Sequence, residues 1–169
     1  MPATLQIPKG ARTRSTPDWF IPQLSSAGLL LDNVLGQYAQ ISLFNDATDG
    51  RYLYLYGLCI AYGNNGLNCY QNSPVNGSPV GPGFPVKGDE AAKPGTIYQY
   101  YSAAPPPEYL NYLVFSAIDL QGASEFLPTT FFPGFPLAVI PPGWAFVINQ
   151  VETIPGYFSV TFWWTAIKP

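Results

Sequence analysis

The stretch that decides the fold is residues 37–62, QYAQISLFNDATDGRYLYLYGLCIAY. In its first eight residues apolar side chains alternate with polar ones, and a period of two is typical of a half-buried β-strand. Residues 45–50 are rich in Asn, Asp and Gly, which accept the backbone angles of a turn. The pattern predicts one strand on each side of this turn. The apolar face of the first strand would be Ala39, Ile41 and Leu43.

The second strand, predicted over 51–62, is apolar on both faces. A strand with one wet face would show polar residues there. Tyrosine instead combines an apolar ring with a hydroxyl tip and is frequent at interfaces. Two interpretations stay open: a central strand of a sandwich, or a strand whose tyrosine face is covered by another chain. Strict alternation places Leu53, Leu55, Cys59 and Ala61 on one face and Tyr52, Tyr54, Tyr56, Leu58, Ile60 and Tyr62 on the other.

The rest of the chain continues the β pattern. Residues 29–31 fit either a short helical turn or a first strand, and no series of amphipathic helices alternates with the strands. The sequence therefore predicts an all-β protein, an antiparallel β-sandwich of jelly-roll type, and excludes an α/β enzyme. Further strands are expected at 96–101, 109–118, 137–140, 144–151 and 157–167, with Pro and Gly between them.

The chain divides into two parts. Residues 1–35 contain four prolines before residue 23 and predict an extended N-terminal arm and lead-in, with Trp19 and Phe20 as an anchor. Residues 36–169 form the sandwich domain. A loop-rich insert is expected at 63–96, and inserts of that length are typically functional or mobile.

The chain has few charged residues for its length. Charged residues make up 10% of the chain, against about 25% in an average soluble domain. Hydrophobic residues make up 47%, and aromatics 16%. This contrast indicates a surface that is covered in part by other protein chains.

The few charges are unevenly placed. Lys9, Arg12 and Arg14 make residues 1–17 basic, whereas residues 18–169 carry ten acids against four bases. A basic arm can guide docking onto an acidic neighbouring copy. A solvated tail is the open alternative. Three scattered cations make a poor phosphate footprint, so nucleic acid is not an expected partner.

Aromatic residues supply the candidate interface positions. In the strand over 157–167, alternation sends Phe162 and Trp164 inward and Trp163 outward. An outward tryptophan is a typical interface anchor, although core packing at a sheet edge is an open alternative. The full candidate set is Trp19, Phe20, Tyr52, Tyr54, Tyr56, Phe131, Phe132 and Trp163.

Catalytic and metal-binding chemistry is weakly represented. The chain has no histidine, the usual base beside a serine or cysteine nucleophile. Asp46 and Asp49 flank a turn and are interpreted as turn residues, with calcium a minor alternative. Cys59 and Cys69 are too few for a zinc site, and free thiols are favoured over a disulfide. We expect no enzyme activity, no metal and no cofactor.

The sequence gives no targeting signal. Residues 1–20 lack the apolar core of a signal peptide. No apolar run reaches the roughly 18 residues that a spanning helix needs. We therefore expect neither signal-peptide secretion nor a membrane partner.

Two stretches resemble the small jelly-roll structural proteins of tailed-bacteriophage virions. The first is LFN at 43–45 followed by DGRYLYL at 49–55. The second is LAVIPPGWAFVI at 137–148, followed by VTFWW at 160–164. The resemblance implies a virion protein made in the host cytoplasm: a capsid decoration or cement protein, a head or neck component, or a fibre-type attachment domain. It also implies a symmetric oligomer, with a trimer favoured.

Two classes of function follow. The first is a structural virion protein whose partners are copies of itself and a major capsid or other virion protein. The second is a carbohydrate-binding module, in which exposed aromatic rings stack on sugars. A receptor-binding tip of a tail fibre would combine the two.

Overall fold

The computed structural model describes residues 24–33, 36–62, 67–72, 75–86, 91, 93–104, 127–131, 135–150, 153 and 156–169. Within these ranges the chain forms eleven β-strands and no helix. The strands are β1 (Ser25–Asn33), β2 (Tyr38–Phe44), β3 (Tyr52–Tyr62), β4 (Leu67–Asn72), β5 (Ser78–Pro82), β6 (Phe84–Pro85), β7 (Thr96–Ser102), β8 (Leu127–Phe131), β9 (Ala138–Ile140), β10 (Ala145–Gln150) and β11 (Gly156–Ile167).

The strands pair in two antiparallel sheets. The first sheet has six strands in the order β6-β1-β11-β3-β8, and β9 pairs with β3 further along the same edge as β8. The second has five strands in the order β4-β10-β2-β7-β5. From β1 to β4 the chain changes sheet at every strand. The prediction of an all-β antiparallel sandwich is confirmed, and the jelly-roll connectivity stays a prediction.

The core lies between the two sheets and is built from alternate residues of the long strands. Phe146 of β10 and Phe162 of β11 meet across it edge to face, with ring centroids 6.4 Å apart. Burying one side chain of this size stabilises the fold by about 1.5–3 kcal/mol. Other fully buried members are Ile41, Leu43, Leu53, Leu55, Leu58, Ile60, Ile140, Ile148, Val160 and Trp164.

Strand β3 contains an irregularity that strict alternation does not predict. Trp163 of β11 lies opposite Gly57, but the next residue, Trp164, lies opposite Leu55. Tyr56 is therefore an extra residue on β3, which is the definition of a β-bulge. The residues of β3 beyond the bulge change face.

The bulge lets both halves of β3 supply the core. Leu53 and Leu55 before it and Leu58 and Ile60 after it are all fully buried in one hydrophobic cluster. The prediction that Leu58 and Ile60 share a face with Tyr52 and Tyr54 is wrong, because the extra residue reverses the alternation. For the same reason Cys59 leaves the leucine face and is only half-buried.

Two predicted segments differ from the structure. The sandwich already includes β1, so it begins by Ser25 rather than at residue 36. The interval 63–96, predicted as loop, contains the short strands β4, β5 and β6, whose polar, proline-containing sequences hide the period of two. The arm over 1–23 and the strand predicted over 109–118 lie outside the described residues.

The turn after β2 is organised by Asn45, which is fully buried. Its Nδ2 donates hydrogen bonds to Arg51 O at 2.9 Å and to Ile140 O at 2.8 Å. Its Oδ1 accepts one from the Ala47 N–H at 3.0 Å. The backbone of Asn45 also bonds to the chain before β10, since its N–H donates to Trp144 O at 2.8 Å. One amide side chain thus joins the start of the turn to the residue before β3 and to the end of β9.

Trp164 organises a second junction, between β11 and the segment that follows β6. Its indole Nε1 donates to Pro94 O at 2.7 Å, and Gly83 N–H donates to Gly95 O at 3.2 Å. At Gly95, where φ is 132°, an added Cβ would lie 2.8 Å from Trp164 Nε1. A glycine is needed here both for its backbone angle and for the close approach of the indole.

Candidate interaction surface

The outward face of the first sheet brings together several of the predicted interface residues. Tyr54 of β3 lies opposite Thr165 of β11 and Val139 of β9. One step along, Tyr52 lies opposite Ile167. Directly opposed residues of antiparallel strands share a face and touch. Each of the two tyrosines therefore has one apolar neighbour, Val139 beside Tyr54 and Ile167 beside Tyr52.

A further row extends this face toward the other edge of the sheet. Trp163 of β11 lies opposite Ser26 of β1, and Ser26 in turn lies opposite Phe84 of β6. The small serine leaves the tryptophan and the phenylalanine flanking it on the same side. Phe84 is 70% exposed, the largest exposed fraction among the large hydrophobic residues described.

We call the set Tyr52, Tyr54, Phe84, Val139, Trp163 and Ile167 the aromatic face. Its two tyrosines and its tryptophan are partly exposed, and its other three members are exposed. None of the six carries a charge, and the tyrosine hydroxyls are its polar tips. Contiguous apolar surface of this kind is typical of a protein or ligand contact.

Tyr56 behaves differently from the other tyrosines of β3. It is only 6% exposed in the isolated chain, beside the bulge. Burial raises the pKa of its hydroxyl, and the neighbouring Tyr54 adds to the rise. Its ring therefore contributes to packing and little to the accessible surface.

The remaining predicted positions are not part of the described surface. Phe131 ends β8 opposite Leu58, and only its backbone is described. Six others lie outside the described residues, and their roles stay predictions: Lys9, Arg12, Arg14, Trp19, Phe20 and Phe132.

The sequence interpretation missed half of the aromatic face. Ile167 continues the outward period of Trp163 and Thr165, so the pattern contained a signal for it. Val139 sits in a three-residue strand, too short for a period to show. Phe84 lies among prolines and glycines, where nothing indicates a strand.

The outward face of the second sheet is different in kind. Gln40 and Ser42 of β2 and Asn149 of β10 are buried there, and Gln40 Nε2 donates to Ser42 Oγ at 3.0 Å. Tyr70 and Val147 are also buried and form a small cluster with Ala145. Burial raises the pKa of the Tyr70 hydroxyl. Partly exposed aromatic rings lie on this face as well, since Tyr98 and Tyr100 of β7 lie opposite Ser42 and Gln40.

The acidic residues of the first turn serve the fold. Asp46 accepts hydrogen bonds from the Gly95 N–H at 2.7 Å and from Thr96 Oγ1 at 2.6 Å. Asp49 Oδ2 lies 2.7 Å from Arg51 Nε. Within the described ranges no group of three or more His, Cys, Asp and Glu residues could hold a metal ion. The interpretation of both aspartates as turn residues is consistent with these bonds.

The two cysteines are not joined in a disulfide in the structure. Cys59 lies on β3 in the first sheet and Cys69 on β4 in the second. Cys69 belongs to the core, and burial raises the pKa of its thiol to about 12. Its thiol is therefore protonated at neutral pH and inert as a nucleophile.

The part of the chain that is described contains no helix long and apolar enough to cross a membrane.

Comparisons of the chain with family models, with curated proteins and with solved structures found no match.

Proposed function

We propose that the chain is a non-enzymatic structural protein of a virus particle, which decorates or cements a bacteriophage capsid through contacts between subunits. The observation that carries the proposal is the aromatic face. Six uncharged side chains from four strands lie on one outward surface, and Phe84 is 70% exposed there.

The physical support comes from the free energy of burial. Completely covering one large apolar side chain contributes about 1.5–3 kcal/mol. Phe84, Val139 and Ile167 are exposed, so a partner that covers them recovers part of this free energy from each. The tyrosine hydroxyls can still find hydrogen-bond partners when they are covered. The rigid sandwich beneath holds these side chains in place, which lowers the entropic cost of binding.

The low charge of the chain and its resemblance to virion proteins add to the proposal. The partners we propose are copies of this chain, as a symmetric oligomer with a trimer favoured, and a major capsid or other virion protein. The site of action is then the virion. Nucleic acid, a membrane, a metal and a cofactor have no part in this function.

The test uses capsids assembled without this chain. Wild-type protein, the double variant Tyr54→Ala/Trp163→Ala and the control Val80→Ala are each mixed with capsids and sedimented. Val80 is 48% exposed on β5 of the other sheet, so its variant removes apolar surface away from the aromatic face.

We expect wild type and Val80→Ala to sediment with capsids and the double variant to stay in the supernatant. Circular dichroism and thermal melting confirm that all three are folded. A wild-type protein that stays monomeric and does not bind capsids would overturn the proposal. So would a double variant that binds as well as wild type.

The second candidate function is recognition of a glycan, either as a carbohydrate-binding module or as the tip of a tail fibre. The observation in its favour is that Tyr54 and Trp163 are both partly exposed on one sheet face, where a sugar ring could stack. Glycan-array binding that is lost in Trp163→Ala and in Tyr54→Ala, together with no affinity for capsids, would favour this function.

A further inference from the structure

Strand β1 has one edge that is mostly unpaired within the described chain. On one side β11 pairs with it over its whole length, from Ser25 to Asn33. On the other side β6 pairs with Ser25 and Ser26 alone. Among the described residues, 27–33 therefore have no strand partner on this side, and we call them the open edge.

The backbone groups that face this edge can be identified. Val86 N–H donates to Leu24 O at 2.8 Å, so the carbonyl of Leu24 points to the β6 side. The N–H and C=O of one residue point the same way in an antiparallel ladder, and the direction alternates along the strand. The backbone groups of Gly28, Leu30 and Asp32 consequently point to the open edge, where the carbonyl of Asp32 also accepts a hydrogen bond from the Tyr101 hydroxyl at 3.4 Å.

The side chains protect this edge only near its end, where Asp32 is charged and exposed. Native proteins block an exposed strand edge with proline, lysine or a bulge. Strand β1 has no proline and no basic residue, and Leu30 is 58% exposed. Two of the other edge strands carry prolines, Pro79 and Pro82 in β5 and Pro128 in β8, and β4 is shorter and mostly polar.

We propose that β1 pairs with β1 of a second copy of this chain, antiparallel and across a twofold axis at Leu30. Under such symmetry the residues at equal distances from the centre face each other. The open edge, 27–33, has Leu30 at its midpoint, so its whole length can pair with itself. The pairing between the two copies stops before Ser26, because Ser26 is already paired with Phe84 of β6.

The side chains in this register are compatible. Leu30 of one copy faces Leu30 of the other, and Leu29 faces Leu31. The carboxylate of Asp32 faces Gly28, which has no side chain and no charge. An axis at Asp32 would instead set two carboxylates against each other, which is destabilising. Axes at Leu29 or Leu31 would use less of the open edge.

The same pairing covers apolar surface on both sides of the sheet. Ala27 and Leu29 are only partly buried against the core because they lie at its margin. A strand added beside β1 would cover them, and on the outward side it would cover Leu30. One strand pair buries less than the roughly 1,200 Å² of a stable interface. We therefore expect a reversible dimer whose population rises with concentration.

This inference rests on the proposed function only for the identity of the partner, a copy of this chain, and the twofold contact is a different one from the trimer favoured there. A twofold contact joins two copies whatever symmetry the capsid contact has. The surface used is an edge, separate from the aromatic face, so the two proposals can fail independently.

The test exploits the prediction that residue 30 faces itself. Leu30→Lys and Leu30→Glu each place like charges at the axis, so each variant alone should be monomeric under conditions in which wild type dimerises. An equal mixture of the two places opposite charges there and should restore a mixed dimer. Sedimentation velocity measures the dimer fraction, and native mass spectrometry identifies the mixed species.

A third variant separates pairing from folding. Leu30→Pro removes an N–H that makes no bond to β11, so it should fold and remain monomeric. Leu29→Pro removes an N–H that points toward β11 and should be clearly less stable. The melting temperatures of the two variants check the assigned backbone direction.

Three results would overturn the inference: a wild type that stays monomeric at every concentration, Leu30 variants that dimerise like wild type, or a mixture of Lys and Glu variants that forms no dimer. Capsid sedimentation of the Leu30 variants tests the proposed function independently of the edge pairing. Monomeric variants that still bind capsids support both proposals. A monomeric wild type that binds capsids rejects edge pairing alone.

Discussion

Trp163 and Trp164 are neighbours in the sequence but belong to different regions of the molecule. Trp164 is fully buried between the sheets, and its indole N–H is bonded to Pro94 O. Trp163 lies on the outward side of β11 and is partly exposed on the aromatic face. The comparison shows that the same side chain can serve stability or recognition, depending on which side of a strand it occupies.

The largest effect that we predict comes from removing Trp164, the buried tryptophan of the two. Trp164→Ala removes a large core side chain and leaves Pro94 O without its donor, so it should lower the free energy of unfolding by about 3–5 kcal/mol. Trp163→Ala should lower it by about 1 kcal/mol or less. Urea denaturation of both variants measures the difference. Equal losses would contradict the division between the two sides of β11.

A second prediction concerns the packing around Trp164 alone. Gly95→Ala adds a methyl group that would meet the indole of Trp164, at a positive φ. Gly50 also has a positive φ, 81°, but nothing lies within 4 Å of its added Cβ. Gly50→Ala should therefore cost about 1–2 kcal/mol for backbone strain. Gly95→Ala should cost about 1–3 kcal/mol more, because it adds overpacking.

Denaturant melts of Gly95→Ala and Gly50→Ala, compared with wild type, provide the test. Tryptophan fluorescence adds a local measurement, because displacement of the Trp164 indole should shift its emission to longer wavelength. A loss in Gly95→Ala no larger than that in Gly50→Ala would mean that the indole is not held against Gly95.

The two cysteines also differ in burial, since Cys69 is buried and Cys59 is only half-buried. The effect that we predict from this difference is smaller. In a Cys59→Ser variant, Cys69 is the only thiol left. Burial raises its pKa to about 12, so the folded protein should not react with a thiol reagent at pH 8. The same variant should react fully once it is unfolded in guanidinium. Rapid reaction of the folded variant would contradict the buried position of Cys69.

The smallest effect concerns the exposed ion pair in the first turn. A hydrogen bond from Arg51 to Asp49 holds the pKa of that carboxyl below its usual value of 3.8. A lowered pKa means that the contribution of Asp49 to stability is complete above pH 3.8 and is lost as the pH falls through the folded pKa. We expect Arg51→Ala to raise the pKa of Asp49 toward 3.8 in an NMR titration. An unchanged pKa would show that Arg51 is not its partner.

The sequence was sufficient for much of the fold. The alternation of β2, the turn at 45–50 and the inward residues of β11 were all predictable, because each is a local pattern. The face of Leu58 and Ile60 was not, since it depends on a single extra residue in β3. Gly57 is the only local sign of a bulge there, and a glycine alone does not determine where the register changes.

The aromatic face was only partly predictable for a related reason. The positions of Tyr52, Tyr54 and Trp163 follow from a period of two in long strands. Phe84 reaches the same surface only because β6 pairs with β1, a contact between segments about sixty residues apart. Pairings of this kind depend on the whole topology and leave no local signal in the sequence.

The place of β11 in the first sheet has a consequence for biosynthesis. It is the last strand along the described chain, yet it lies between β1 and β3. A ribosome therefore releases β1 and β3 long before the strand that separates them exists. In that interval β1 lacks the strand that pairs with its whole length, and unpaired strand edges make folding intermediates prone to aggregation. Completion of this sheet thus waits for the synthesis and insertion of its central strand.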